Sequence, residues 1–239
     1  MSKWKEVWNR HQADGEIITT GSDREILIEL KRAIGNDVVG DGISYEGLIK
    51  EYCELKENLS KVHPCSSVFE VGCGSGANLW LFQKDGVKVG GIDYSKSLID
   101  NANAVLYSQE IVCNEAVFMT EEIKYDAVFA MRVFSYFENL EYAKIVLKKM
   151  CKKARYAVGL IDVHDKEKED AFLEYRRLTI EDYDEKYDGL NKLFFERSFF
   201  YNIADELNME IEFKKQQTDG YWNNDYGFNV YLYHKVIKK

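Results

Sequence analysis

The most informative stretch of the sequence is Ser67-Val68-Phe69-Glu70-Val71-Gly72-Cys73-Gly74-Ser75-Gly76-Ala77-Asn78. A short apolar run that carries one acid breaks into three glycines at alternate positions, and a helix-compatible segment follows. This order is typical of a buried parallel strand that enters a tight turn and then a helix N-terminus. Glycine permits positive φ and lets a ligand lie against the backbone, because it has no Cβ. The free N–H groups at the start of the helix favour negative or electron-rich ligand atoms.

Strands and helices alternate after this turn. The pattern predicts strands at 67–71, 87–92, 115–118, 125–130 and 156–162, and helices at 76–84, 95–106, 139–153 and 166–177. Such alternation implies parallel strands joined by right-handed crossovers. Near the end of the chain, a predicted helix at 196–207 precedes two strand-like runs, 209–214 and 228–235, which suggest an antiparallel hairpin. We therefore predict an α/β fold with a doubly wound, mostly parallel seven-stranded sheet that this hairpin closes.

The residues before the sheet are predicted to be helical. We expect one domain overall, with an N-terminal helical extension at 1–62 and the sheet-containing part at 63–239. Helix-capping patterns begin at Ser22 and Ser44. Trp4 and Trp8 fall at helical spacing, which fits either ordinary packing onto the domain or a lid over a ligand cleft.

Composition excludes several classes of protein. A net charge of -9 argues against a general nucleic-acid binder, since such proteins rely on clustered Lys and Arg. The five cysteines form no CxxC pair and show no metal-ligand spacing with the four histidines, so we expect free thiols and no metal. Residues 1–12 are polar and charged, unlike a signal peptide, and no stretch approaches the roughly 20 apolar residues of a membrane span. We expect a soluble cytoplasmic protein with no membrane or nucleic-acid partner and make no prediction of its oligomeric state.

The ends of the predicted strands carry three connected signals. The first is the acid of Glu70 followed by the glycine turn. The second is Gly91-Ile92-Asp93-Tyr94-Ser95, whose acid comes 17 residues after Gly76 and ends the next strand. The third is the strand at 125–130, which leads into Met131. A carboxylate at the end of the second strand is placed to accept both hydroxyls of a ribose that lies across the turn.

Over residues 65–163 these motifs resemble, in order and spacing, the class I S-adenosylmethionine-dependent methyltransferases. The resemblance implies S-adenosylmethionine as cofactor and S-adenosylhomocysteine as product. It also implies that the glycine turn approaches the cofactor, that Asp93 binds the ribose, and that Glu70 orients the turn and the amino group of the cofactor. The predicted cofactor-binding residues are Glu70, Gly72, Cys73, Gly74, Gly76, Asp93, Tyr94, Met119, Thr120 and Met131. Of these, Met119 and Thr120 match by position alone, since the acid that is frequent there in the family is absent.

Two other functions remain open at this point. Gly72, Gly74 and Ala77 also satisfy the G-x-G-x-x-A pattern of dinucleotide folds, and Asp93 suits a nicotinamide ribose. The chain would then be an NAD-dependent oxidoreductase. Glu70 favours the methyltransferase, because an acid two residues before the first glycine has no function in dinucleotide binding. A non-catalytic, regulatory domain that binds S-adenosylmethionine is the third possibility.

Methyl transfer depends mainly on positioning, with a base added where the acceptor must lose a proton. The catalytic candidates are His164 as a base, Arg132 as an anchor for an anionic acceptor and Tyr136 as a group that polarises a hydroxyl. A structural histidine, an ion pair and simple packing are the respective alternatives, and His11 is a weaker candidate. The loop at 221–226, with Tyr175, Tyr183 and Tyr187, suits sugar or polyol recognition. We expect an O- or N-methyltransferase for a small molecule, such as a saccharide or secondary metabolite, since the Asn-Pro-Pro-Tyr run typical of nucleobase amino methylation is missing.

Overall fold

The computed structural model describes residues 3–10, 19–35, 42–108 and 110–235. His11 lies outside the described residues. None of the helices within those ranges is long and apolar enough to cross a membrane.

The described residues form a seven-stranded sheet in the order β3-β2-β1-β4-β5-β7-β6. Its strands are β1 (Ser67–Val71), β2 (Lys88–Asp93), β3 (Ile111–Cys113), β4 (Tyr125–Met131), β5 (Ala154–His164), β6 (Met209–Lys215) and β7 (Gly227–His234). Strands β1 to β5 pair in parallel, and β7 runs antiparallel between β5 and β6. The predicted fold class, including the closing hairpin, is confirmed.

Helices cover both faces of the sheet. They are α1 (Lys3–Arg10), α2 (Asp23–Ala33), α3 (Tyr45–Leu59), α4 (Ala77–Lys84), α5 (Lys96–Val105), α6 (Leu140–Lys153), α7 (Glu169–Thr179), α8 (Tyr183–Lys186) and α9 (Arg197–Glu206). One apolar core lies between the sheet and α2 to α5, and a second lies between the sheet and α6 and α9. Alternate strand residues divide between them: Val68 faces the first core and Phe69 the second, as the period of a β-strand requires.

The N-terminal helices begin where the sequence predicts. Ser22 and Glu25 form a capping box at the start of α2, and the Ser44 side chain accepts from the N–H of Gly47 at the start of α3. Both helices bury apolar residues in the first core, where Leu59 comes within 3.1 Å of the position that a Cβ on Gly159 would take. The boundary between 62 and 63 stays a prediction.

The predicted strand at 115–118 is wrong. Strand β3 occupies Ile111–Cys113, and Ala116–Phe118 form a 3-10 turn. The sheet register explains the difference: Cys113 pairs with Asp93, the last residue of β2, so a longer β3 would have no partner. Ala116 and Val117 pack against the second core instead, which accounts for their apolar character.

Candidate active site

A cavity of ≈ 690 Å³ opens at the carboxyl ends of β1, β2, β4 and β5. This is the edge at which open α/β sheets bind their ligands. Residues of α1 and α2 and of the loop at 220–223 also line it. The cavity has two parts, one around the glycine turn and one around the ends of β4 and β5.

The glycine turn lies against the cavity, and two of its glycines, Gly72 and Gly74, leave no room for a Cβ. Gly72 and Gly74 have φ values of 71° and 50°. A Cβ on Gly72 would lie 2.4 Å from Cγ2 of Val133, and one on Gly74 would lie 2.7 Å from Cγ2 of Ile34. Cys73, between them, is buried and also lines the cavity. The backbone at this turn is therefore the surface that a ligand would contact.

Three predicted cofactor residues do not line the cavity. Gly76 has a φ of 80° at the N-cap of α4, and a Cβ there would lie 2.8 Å from Leu106, so this glycine serves helix packing. Met119 is buried in the second core, and Thr120 is exposed. These two lie elsewhere because β3 ends earlier than expected. Asn114 and Ala116, which follow the true end of β3, line the cavity instead.

Asp93 is oriented by the backbone of the turn and of α5. Its Oδ2 accepts from the N–H of Gly74 at 3.0 Å, and its Oδ1 accepts from the N–H of Ser95 at 2.8 Å. Burial raises the pKa of this carboxyl, while the same hydrogen bonds oppose the rise. Asp93 and the neighbouring Tyr94 both line the cavity, as does Met131 at the end of β4.

Glu70 presents an unpartnered buried oxygen at the cavity. Its Oε1 accepts from Nδ2 of Asn78 at 2.7 Å, whereas Oε2 has no hydrogen-bond partner among the described residues. Lys31 of α2 donates to Oδ1 of the same Asn78 at 2.8 Å. Burial raises the pKa of Glu70 to about 8, partly offset by Asn78 and Lys31. A buried polar atom without a partner is a recognised sign of a ligand that completes the site.

Arg132 occupies the predicted place after β4, but its charge is already neutralised. Its Nη2 donates to Oε1 of Glu51 at 2.5 Å, and its Nε lies 3.8 Å from Oδ2 of Asp162. Burial alone would raise the pKa of Glu51, yet Arg132 and Lys31 hold it below its usual range. The ion pair that the sequence left open as an alternative is thus present, and it joins helix α3 to the ends of two strands.

His164 lies in the cavity at the end of β5 and is held as a neutral ring. The amide Nδ2 of Asn223 donates to Oδ1 of Asp162 at 2.8 Å and lies 3.1 Å from Nε2 of His164. Burial, together with the nearby charges of Lys192 and Arg176, lowers the pKa of His164 to about 3. Nε2, the nitrogen through which a general base would take up a proton, is already occupied by Asn223. The role of His164 as a general base stays a prediction.

Tyr136 is enclosed by the tryptophans of α1. Its ring meets Trp4 and Trp8 edge-on, with centroid separations of 4.9 Å and 5.6 Å. Trp4 also donates from Nε1 to the carbonyl of Asn191 at 2.9 Å, which fixes α1 over this part of the cavity. Burial raises the pKa of Tyr136 to about 12, so its hydroxyl stays protonated. Whether α1 opens as a lid stays a prediction.

Residues 69–155 match the family model of a methyltransferase domain. The strand order places this segment in the class I fold. Over those residues the chain is similar to this family, and its sheet has the class I strand order. The predicted fold is confirmed, and the domain match agrees with the predicted family and with the prediction of an enzyme.

Solved structures share the fold of this methyltransferase domain at low identity. Magnesium protoporphyrin IX methyltransferase from Synechocystis PCC 6803, with bound SAM, is 15% identical with a TM-score of 0.58, over 98% of this chain and 92% of that chain. The plantazolicin methyltransferase BpumL with SAH is 15% identical with a TM-score of 0.58, over 98% of both chains. CalS10, an amino pentose methyltransferase from Micromonospora echinaspora, is 13% identical with a TM-score of 0.60, over 80% of this chain and 94% of that chain. A comparison with curated proteins finds no match.

Several residues that line the cavity were not predicted from the sequence. Lys31 and Lys192 look in sequence like ordinary surface lysines, yet both line the cavity. Asp162, which has a positive φ of 60° near the end of β5, was not among the predicted site residues. Its position after a parallel strand was the available signal, because functional groups of this fold collect there.

Proposed function

We propose that the protein is an S-adenosylmethionine-dependent methyltransferase that methylates an oxygen or nitrogen atom of a small molecule, a saccharide or a secondary metabolite. The observation that carries the proposal is the unpartnered Oε2 of Glu70 beside the glycine turn. Glu70, the turn and Asp93 all line one cavity. All three of the solved structures described above hold SAM or SAH, which supports this choice of cofactor.

The residues present fit this cofactor. Oε2 of Glu70 would accept a hydrogen bond from the amino group of the cofactor. Lys31, which donates to Asn78 at 2.8 Å, would face the carboxylate of the cofactor. Asp93 would accept from the ribose hydroxyls, and the bare backbone of Gly72 and Gly74 would leave room for the chain between them. When bound, the cofactor supplies an electrophilic methyl group on a positively charged sulfur.

The remaining residues of the cavity would position the acceptor. The chain would hold the acceptor so that a lone pair on its oxygen or nitrogen faces the place of the methyl group, and any proton on the acceptor would pass to water. The chain contributes orientation and exclusion of bulk water, for which a well-placed nucleophile is sufficient. Tyr136 and the neutral ring of His164 would hold the acceptor in place, while Arg132 fixes the ends of the strands.

The acceptor does not follow from the neighbours. These neighbours are methyltransferases named for a magnesium porphyrin, plantazolicin and an amino pentose, which share little chemistry. We further propose a cytoplasmic location, supported by the free state of all five cysteines, and no nucleic-acid partner, supported by the net charge of -9.

Titration calorimetry with S-adenosylmethionine, S-adenosylhomocysteine and NADH tests the proposal. We expect micromolar binding of the two sulfur compounds and none of NADH. Binding of NADH alone would identify a dinucleotide-dependent oxidoreductase. A domain that binds the sulfur compounds but releases no S-adenosylhomocysteine with any acceptor in a broad screen would be regulatory.

A further inference from the structure

Two basic side chains of the cavity take no part in the ion pairs found within the described ranges. Arg176 of α7 and Lys192, in the segment before α9, both line the part of the cavity near the ends of β4 and β5. Within the described ranges, no carboxylate oxygen lies within 4.0 Å of either side chain. This distinguishes them from Arg132, which contacts two acids in the same cavity.

Lys192 is surrounded by aromatic rings. Its Nζ lies 3.1 Å from the ring centroid of Tyr136 and 4.5 Å from that of Trp4. Asp162, the acid that attracts it, already accepts from Tyr221 at 2.6 Å and from Asn223 at 2.8 Å. Burial lowers the pKa of Lys192 well below its usual range, and nearby Arg176 lowers it further. An anion bound beside Lys192 would remove this penalty.

Arg176 is likewise held by aromatic groups. Its guanidinium carbon lies 4.9 Å from the ring centroid of Trp222 and 5.5 Å from that of Tyr187, and its Nη2 donates to the Tyr187 hydroxyl at 3.2 Å. Arginine stays charged at any physiological pH. Its fork of N–H donors suits the two oxygens of a carboxylate.

The walls beside these cations are flat. Tyr183 and Tyr187 stack with their centroids 4.8 Å apart at an interplanar angle of 28°, and Trp222 stacks on Tyr175 at 5.5 Å and 12°. Tyr183, Tyr187 and Trp222 line the cavity. Stacked aromatic walls match a planar, unsaturated ligand, since rings pack face to face with an offset or edge to face.

We propose that the methyl acceptor is a flat organic anion, an aromatic carboxylate, whose carboxylate lies between Arg176 and Lys192 and whose ring packs against the aromatic walls of the cavity. The inference rests on the proposed function and narrows its acceptor class. A neutral saccharide would leave both cations without a counter-charge. An aliphatic acid would satisfy the cations but leave the flat walls poorly filled.

Binding measurements on the purified chain test this inference without requiring turnover. The probes are benzoate, 4-hydroxybenzoate and indole-3-carboxylate, each compared with its own carboxamide, and cyclohexanecarboxylate as an anion that is not flat. Calorimetry or ligand-observed NMR is run with and without S-adenosylhomocysteine. The variants are Arg176→Gln and Lys192→Gln, and Arg177→Gln is the matched control, because Arg177 is exposed and pairs with Asp184 at 3.0 Å outside the cavity.

We expect each aromatic carboxylate to bind at least about tenfold more tightly than its carboxamide, because a charge-assisted hydrogen bond to a buried cation is lost in the amide. Either cavity variant should remove most of that preference, and R177Q should keep it. Equal binding of acids and amides, no binding of any probe, or a preference that survives in both variants would overturn the inference. Binding of S-adenosylhomocysteine is measured separately. If S-adenosylhomocysteine binds but the acids are not preferred over their amides, the inference alone is rejected. If S-adenosylhomocysteine does not bind, the proposed function is rejected.

Discussion

The backbone N–H of Gly74 donates to Oδ2 of Asp93 at 3.0 Å, which joins the glycine turn of β1 to the acid that ends β2. Ser95 donates to the other oxygen of the same carboxylate. Asp93 is therefore oriented by two backbone groups before any ligand arrives. Such preorganisation reduces the entropy that a ligand loses on binding.

Replacement of Asp93 should weaken cofactor binding. In Asp93→Ala, both the ribose hydroxyls and the N–H of Gly74 lose their acceptor, so we expect the affinity for S-adenosylhomocysteine to fall by about 1–3 kcal/mol. Calorimetry measures the change. Asp100→Asn is the control, because Asp100 lies on the exposed surface of α5 and pairs with Lys96. An unchanged affinity in Asp93→Ala would remove Asp93 from the site.

A comparison with Gly86 separates the effect of crowding at Gly74 from the effect of its positive φ. Gly74 and Gly86 have φ values of 50° and 76°, so alanine is strained at both positions. A Cβ on Gly74 would lie 2.7 Å from Ile34, whereas one on Gly86 would have no neighbour within 4 Å. We expect Gly74→Ala to lose at least about tenfold in affinity for S-adenosylhomocysteine, and Gly86→Ala to lose stability alone. Calorimetry and thermal unfolding of both variants make the comparison, and equal affinities would show that the turn does not contact the ligand.

The part of the site around the glycine turn was predictable because its residues lie close in sequence. Glu70, the glycines and Asp93 lie at the carboxyl ends of two neighbouring strands. Parallel pairing brings those ends together without any knowledge of the rest of the fold. Met119 was placed at the cavity because β3 was predicted to extend further than it does. The sequence does not reveal how many residues of a short edge strand find a partner.

The other part of the cavity was not predictable in this way. The pair of Arg132 and Glu51 joins residues 81 positions apart. The contact of Lys192 with Trp4 depends on how α1 folds back over the domain. Neither residue type nor spacing shows that one lysine faces a cavity while another faces solvent, because tertiary packing decides this.

Glu70 should make the stability of the ligand-free protein depend on pH. Its folded-state pKa of about 8 lies above the ordinary value of 4.5, so the folded state keeps a proton that the unfolded state has lost. This contribution to stability is fully present below pH 4.5 and is lost as the pH rises towards 8. Glu70→Gln keeps the acceptor for Asn78 and removes the titration.

Denaturant unfolding of wild type and Glu70→Gln at pH 5 and pH 8.5 measures the effect. We expect the free energy of unfolding of the variant to rise relative to wild type between the two values, by up to about 4 kcal/mol. The difference between the two proteins is the useful quantity, since Lys31 titrates nearby in both. A difference that does not change with pH would show that Glu70 is ionised in the folded protein throughout.

The contributions of Arg132 and Glu51 to the free energy of unfolding should depend on each other, because each neutralises the buried charge of the other. Arg132→Met leaves a buried carboxylate without its main partner, so we expect a loss of about 3–5 kcal/mol in the free energy of unfolding. Adding Glu51→Gln removes that charge and keeps the hydrogen bond from Thr218, so the double variant should be more stable than Arg132→Met. Urea unfolding of the single and double variants measures the coupling. Lys50→Met, which breaks the exposed pair with Asp219, should cost less than about 1 kcal/mol, and additive losses in the double variant would contradict the pairing.

His164 should remain neutral throughout the physiological range. Its pKa of about 3 follows from burial and from the nearby charges of Lys192 and Arg176, while Asn223 occupies its Nε2 at 3.1 Å. The remaining proton is therefore expected on Nδ1, which has no hydrogen-bond partner within the described part of the chain. NMR of protein labelled in its histidine rings measures both the charge and the tautomer, and the signal that disappears in His164→Gln assigns the residue.

We expect that signal to keep the chemical shifts of a neutral ring protonated on Nδ1 from pH 8 to pH 5. The charged ring has no place in this site, because it would have to be desolvated beside two cations and would lose its bond from Asn223. A titration with its midpoint between pH 5 and pH 8 would contradict this and restore His164 as a general base, since an effective base has a pKa near the working pH. A neutral ring over the whole range leaves deprotonation of the acceptor to water, consistent with a site that acts chiefly by positioning.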